Sequence, residues 1–146
     1  MKASIASYRE NLIRTASREQ ILLLLYDGAI GFLRQAEEKI RAKEYEAKGR
    51  LLTRAYAIVF ELNACLDHKA APEIAEQLSA LYLFIMKEIQ SANARCDAKP
   101  IEGVLGVLET LREAWQGAVD QVRAGERAPQ DAEAGGERRS LGRVAA

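Results

Sequence analysis

The chain has one histidine, two cysteines, three prolines and one tryptophan, and aromatics make up only 6% of its 146 residues. Each scarcity closes off a class. A single histidine cannot supply the Glu-x-x-His pairs of a di-iron bundle, and zinc needs three or four well-spaced ligands. Cys65 and Cys96 are too few for a disulfide framework, which points to a reduced compartment and to thiols acting as small apolar side chains. Net charge is lacking as well, because 21 Lys and Arg balance 21 Asp and Glu. Counterion release along a nucleic-acid backbone needs a basic excess, so no nucleic-acid partner is expected. No apolar run, Ile21–Tyr26 included, comes near the roughly 20 residues of a membrane span, so no membrane insertion is expected. The opening MKASIASYREN mixes polar and charged residues where a secretory leader needs an apolar stretch. The expectation is a small soluble domain of the cytoplasm.

What is present is apolar periodicity. Apolar residues reach 49% of the chain, enough for one core of ordinary size. Ser17 followed by Gln20 has the capping-box pattern. From there Ile21, Leu25, Ala29, Phe32, Leu33, Ala36 and Ile40 recur every three or four residues. A second stripe runs Leu51, Leu52, Ala55, Ile58, Val59, Leu62 and Leu66. A third opens at Pro72, a residue suited to the first helical position, and takes in Ile74, Leu78, Leu81, Ile85 and Ile89. The fourth starts at Pro100 and runs through Ile101, Val104, Leu105, Leu108, Leu111, Trp115, Ala118 and Val122. No segment alternates with period two.

Four stripes joined by short connections force antiparallel neighbours. The sequence therefore predicts an all-α fold, an antiparallel up-down-up-down four-helix bundle over residues 1–123. Its helices fall at about 17–43, 45–66, 72–95 and 100–123. A short N-terminal helical arm over 3–14 carries Ile5, Tyr8, Leu12 and Ile13 at helical spacing. Every aromatic lies at or before Trp115, and beyond residue 123 the only large apolar residues are Leu141 and Val144. A disordered C-terminal tail over 124–146 is the expectation.

Two helices carry more apolar surface than a minimal bundle needs. Ile21 to Tyr26 sweep the whole helical wheel, and Tyr82, Leu83, Phe84 and Met86 accompany Leu81 and Ile85. A helix packed on two neighbours needs a wide stripe, not a full turn of apolar side chains. Core burial, cover by the arm and a groove for another chain are all consistent with this surplus. Chemistry, by contrast, is thinly supported. His68 lies in a connection with Cys65 and Asp67 nearby, but no further ligand is spaced to complete a metal site. The carboxylate pairs Glu37–Glu38, Glu44–Glu46 and Glu73–Glu76 sit among Lys and Arg as helix-surface charges. Gly103-x-x-Gly106 follows no strand and is not a phosphate cradle. The pattern is that of a binding protein, with no enzymatic activity, cofactor or metal expected.

Five blocks resemble one family in order and spacing over about residues 5–118. Leu25-Tyr26-Asp27-Gly28-Ala29-Ile30 is similar to a stretch in the first long helix of the FliS family of flagellin export chaperones, and Thr15-Ala16-Ser17 with Glu19-Gln20 resembles its approach. Leu66-Asp67, Glu73-Ile74-Ala75 and Leu78-Ser79-Ala80-Leu81-Tyr82 resemble the start of the third helix, and Ala92-Asn93 with Asp97 its end. Val104-Leu105-Gly106-Val107-Leu108 and Leu111-Arg112-Glu113-Ala114-Trp115 resemble the last helix. The chain departs from the family at Arg18, usually Pro, at Gln77, commonly Asn, and at Ala71-Pro72, usually Gly-Gly. The last change alters the corner between helices two and three, where a left-handed residue would end a helix.

The resemblance implies a bacterial cytosolic chaperone that binds the disordered C-terminal segment of flagellin, blocks premature polymerisation and delivers it to the flagellar type III export gate. A helical adaptor for a different secreted client is the alternative, and a small helical enzyme a more remote one. Given that client, Ile58 and Leu62 of the second helix are expected to line a groove with Leu78, Tyr82, Ile85 and Met86 of the third. Tyr8 and Leu12 of the arm are expected to lie over part of it, and the family's arm is implicated in docking to the export gate. The free protein is expected to be a monomer or a homodimer.

Overall fold

A computed structural model describes the backbone of residues 17–145 and side chains as far as residue 125. The described residues form four helices: α1 (Arg18–Arg41), α2 (Tyr45–Ala64), α3 (Pro72–Arg95) and α4 (Lys99–Ala145). The predicted arm over 3–14 lies outside them. Contacts divide the chain into two compact units, Met1–Arg112 and Glu113–Ala146.

Local chemistry sets most boundaries. Ser17 Oγ accepts from the Gln20 amide at 3.2 Å while Gln20 Oε1 accepts from the Ser17 N–H at 3.3 Å, closing the predicted capping box. α1 ends as Lys43 turns into the left-handed region at φ 58°, and the amides of Ala42, Lys43 and Glu44 bond back to Glu38, Ile40 and Lys39. A second left-handed residue, Cys96 at φ 52°, caps α3, although neither position is the glycine that usually occupies it. Pro72 opens α3 as predicted. The corner between α2 and α3 turns without a left-handed residue. Cys65 ends α2 at φ −86°, and one Asp67 carboxylate oxygen accepts from the Lys69 and Ala70 amides at 3.0 Å each. Asp97 repeats the device before α4, accepting from the Lys99 amide at 3.0 Å.

Antiparallel packing within the first unit is read from residue pairs. Between α1 and α2, the Arg54 guanidinium sits 5.8 Å from the Phe32 ring centre, and a Cβ on Gly28 would lie 3.2 Å from Ile58 Cδ1. Between α2 and α3, Lys48 Nζ donates to the Asn93 carbonyl at 2.9 Å. Between α1 and α4 the ion pairs Asp27–Arg112, Arg34–Glu109 and Arg41–Glu102 descend one helix as they climb the other. These pairs are exposed, so they fix register more than they stabilise. Stability resides in the interior, where Leu33, Ala55, Val59, Ile85, Ala92 and Leu108 are fully buried. At its centre the Tyr26 and Tyr82 hydroxyls meet at 2.5 Å across α1 and α3.

The second and fourth predicted stripes supply core residues as expected, and the core departs from the predicted stripes at the start of α1 and in α3. In α1 the buried residues are Leu23, Tyr26, Ala29, Ile30, Leu33 and Ala36; the predicted Ala29, Leu33 and Ala36 are among them, whereas Ile21 and Leu25 are only half-buried. In α3 Tyr82 and Met86 are core, whereas Ile74, expected inside, is 58% exposed. Where every position of a turn is apolar, periodicity has no phase to report. Composition left 124–146 without a core to join; there the backbone continues α4 as far as Ala145, and the side chains beyond 125 lie outside those described.

Candidate protein-docking surface

α2 and α3 pack side by side and leave a seam between them on the outer face. On α2 the residues along it are Tyr45, Gly49, Thr53, Tyr56 and Phe60, spaced by three or four so that they share one stripe. The facing stripe of α3 carries Ser79, Leu83, Gln90 and Asn93. A depression of 220 Å³ at mid-seam is lined by Leu52, Thr53, Tyr56, Ile89, Gln90 and Asn93. It continues through Thr53 and Asn93 into a shallower one bordered by Tyr45 and Gly49. Another, at the far end of α3, lies among His68, Pro72, Glu76, Ser79, Ala80 and Leu83. Phe60 is one turn past Tyr56, and Leu83 is two turns before Gln90, so both belong to this seam.

The seam is apolar where it should be wet. Phe60 and Leu83 are 58% and 55% exposed, and Tyr45 is 49% exposed. An isolated exposed leucine needs no explanation, but large apolar side chains aligned along one groove mark an interaction surface. The mid-seam depression is smaller than the roughly 300–1,000 Å³ of small-molecule pockets; the other two, at about 460 Å³ each, reach that range in volume but lie open to solvent as troughs. A long, shallow, apolar trough suits the side chains of a polypeptide. A second apolar stripe, Ile74, Leu81 and Phe84, runs along another face of α3.

Of the residues predicted to line a groove, the structure brings all six to the α1–α2–α3 region but buries four. Leu62, Tyr82, Ile85 and Met86 are at most 5% exposed and form the interior of the bundle. Ile58 and Leu78 are half-buried, with Ile58 turned toward Gly28 of α1. The exposed large apolar positions on α2 and α3 beside the seam are instead Phe60 and Leu83. Phe60 falls outside the second helix's apolar stripe, and an off-stripe aromatic was the signal available for it. Tyr8 and Leu12 lie outside the described residues.

Catalytic or ligating groups do not gather on this surface. His68 is exposed in the α2–α3 connection, and among the described residues no three His, Cys, Asp or Glu side chains cluster as a metal site would. Burial pushes the Cys65 thiol up, and the neighbouring Glu61 carboxylate adds to the shift. The amides of Ala70 and Lys69 hold the Asp67 carboxyl below its ordinary value. Among the described residues no helix is long and apolar enough to cross a membrane.

Comparison with known proteins settles the family. The model of the family described as flagellar protein FliS matches residues 1–122. The chain belongs to the FliS family. It is 37% identical over 108 residues to the flagellar secretion chaperone FliS of Salmonella typhimurium, covering 73% of this chain and 80% of that one. With the flagellar secretion chaperone FliS of Bacillus subtilis it shares 29% identity over 117 residues, 80% of this chain and 86% of the relative. A solved structure, the crystal structure of a flagellar chaperone from bacteria, superposes with a TM-score of 0.69 at 23% identity. It covers 82% of this chain and 98% of its own, and shows the same fold. The FliS match ends near the residue where this chain's apolar stripes end.

Proposed function

We propose that this FliS-family protein is a cytosolic export chaperone. It holds the disordered C-terminal segment of newly made flagellin, prevents premature polymerisation and delivers the subunit to the flagellar type III export gate. The observation that carries this reading is the apolar α2–α3 seam, with Phe60 and Leu83 more than half exposed, in a member of a family of flagellar secretion chaperones.

The mechanism follows from the surface. An amphipathic segment lays its apolar side chains along the seam in a helix-in-groove mode. Ordering a disordered client costs several kcal/mol, so about 1,000–3,000 Å² must be buried to offset it. The seam alone is narrow, and the stripe of Ile74, Leu81 and Phe84 on another face of α3 offers further area for a client that wraps the bundle. Ile58 and Leu78 contribute their exposed edges, while Leu62, Tyr82, Ile85 and Met86 give the seam a rigid backing. Tyr8 and Leu12 of the arm compete with the client for part of this surface and later contact the export gate. Release comes from competition at the gate or at the growing filament end.

The test is calorimetric titration of the full chain with a flagellin C-terminal peptide, paired with circular dichroism of the mixture against the sum of its parts. One-to-one binding with a gain in helicity is expected. A folded protein that ignores flagellin but captures another secreted segment would replace flagellin with a different client.

A further inference from the structure

Lys48 is the only charged side chain buried among the described residues, at 5% exposure. A buried ammonium ordinarily needs a counter-charge, yet no carboxylate among these residues lies within ion-pair distance of it. Its Nζ donates to the Asn93 carbonyl at 2.9 Å and to Cys96 Sγ at 3.3 Å, and lies 5.8 Å from the Tyr45 ring centre. Cys96 is exposed and held at the left-handed cap of α3. Its sulfur is therefore open to a small oxidant while a nitrogen nucleophile is fixed beside it. Cys65 makes the contrast, since its thiol faces the Glu61 carboxylate at 3.5 Å and no amine.

We propose that Lys48 and Cys96 form a peroxide-sensitive modification site, closed as a sulfenamide bridge between α2 and the cap of α3. In the first step the thiol attacks hydrogen peroxide. The O–O bond breaks, one oxygen is bonded to sulfur, the other leaves as water, and sulfur is oxidised by two electrons to the sulfenic acid. In the second, Lys48, having given one ammonium proton to solvent, attacks that sulfur through Nζ. The N–S bond forms, the S–O bond breaks, and the departing hydroxyl takes a proton from nitrogen to leave as water. One thiol, one amine and one peroxide thus become one sulfenamide and two waters. The bridge pins the first turns of α2 to the end of α3, beside the depression bordered by Tyr45, Gly49 and Asn93. It is independent of which client the protein carries.

The test uses the full chain in a Cys65→Ser background, which removes any disulfide between the two cysteines. After peroxide treatment the dominant intact species is expected to lose two hydrogens in mass. Its digest should contain a peptide joining Lys48 to Cys96, with tryptic cleavage after Lys48 lost, and a dithiol should restore both mass and cleavage. Lys48→Arg and Cys96→Ser should abolish the bridge; the exposed Cys96 position keeps the test valid if Lys48→Arg alters folding. Cys96 that gains oxygen while Lys48 stays cleavable would overturn the proposal. So would the same loss of mass in either variant.

Discussion

Replacing Phe60 with Ala separates surface from core at a position one turn from the bundle's interior. Phe60 is 58% exposed, and an aromatic side chain buries about 150–250 Å² when fully covered. About 90–145 Å² of it therefore remains for a partner to cover, worth at most about 2–4 kcal/mol at 25 cal/mol per Å². Burial in an open trough is incomplete, and association does not convert area at full value. Phe60→Ala should thus weaken client binding by about 1–2 kcal/mol, roughly 5- to 30-fold, while stability moves by about 0.5 kcal/mol or less. Ile85→Ala removes a side chain with 0% exposure and should cost about 2–5 kcal/mol of stability. Thermal melting of both variants, each paired with calorimetric titration of the flagellin segment, reads the two effects on one scale. Equal losses of Tm would refute the reasoning, as would wild-type affinity in Phe60→Ala.

Other expected outcomes follow from the corners and the core. Lys43→Gly should stabilise by about 0.5–1 kcal/mol in urea denaturation, because φ 58° is strained for a residue with a Cβ. A double-mutant cycle of Tyr26→Phe and Tyr82→Phe should return a coupling of about 0.5–1.5 kcal/mol, the worth of a buried hydrogen bond; additive effects would dismiss the pair as incidental. Asp67 has its folded pKa below the ordinary 3.8 through the amides of Ala70 and Lys69. Its contribution is therefore full above that value and fades as pH falls toward the folded pKa. The stability gap between the wild type and Asp67→Ala should be constant near neutrality and close on acidification, as followed by chemical denaturation across pH.

How much of this was legible in the sequence depended on whether a signal was local. The capping box at Ser17 and Gln20, Pro72 at the head of α3 and the all-helical antiparallel architecture are set by short-range spacing and appear in the structure, although α4 continues past residue 123 to Ala145. The phase of the first turns of α1 was not legible, because the six consecutive apolar residues Ile21 to Tyr26 leave the wheel without a polar side. In α3 the same ambiguity hid that Tyr82 points inward to meet Tyr26, 56 positions away. A tyrosine reads as a surface aromatic until its hydroxyl partner is known. Ile74 shows the reverse, an isoleucine in register with the core that the start of the helix leaves outside. The left-handed caps at Lys43 and Cys96 escaped notice because neither is Gly or Asn. Phe60 lies off the second helix's apolar stripe, and that offset is what places it on the seam.

The central claim is that the α2–α3 seam is where the client lies, and backbone amide hydrogen exchange with and without the flagellin C-terminal segment tests it most directly. The account predicts slowed exchange concentrated in the later half of α2 and the earlier half of α3, around Tyr56, Phe60 and Leu83, with that protection lost in Phe60→Ala. Protection confined to the α1–α4 side, around Asp27 and Arg112, with the seam unchanged by a bound client, would contradict it.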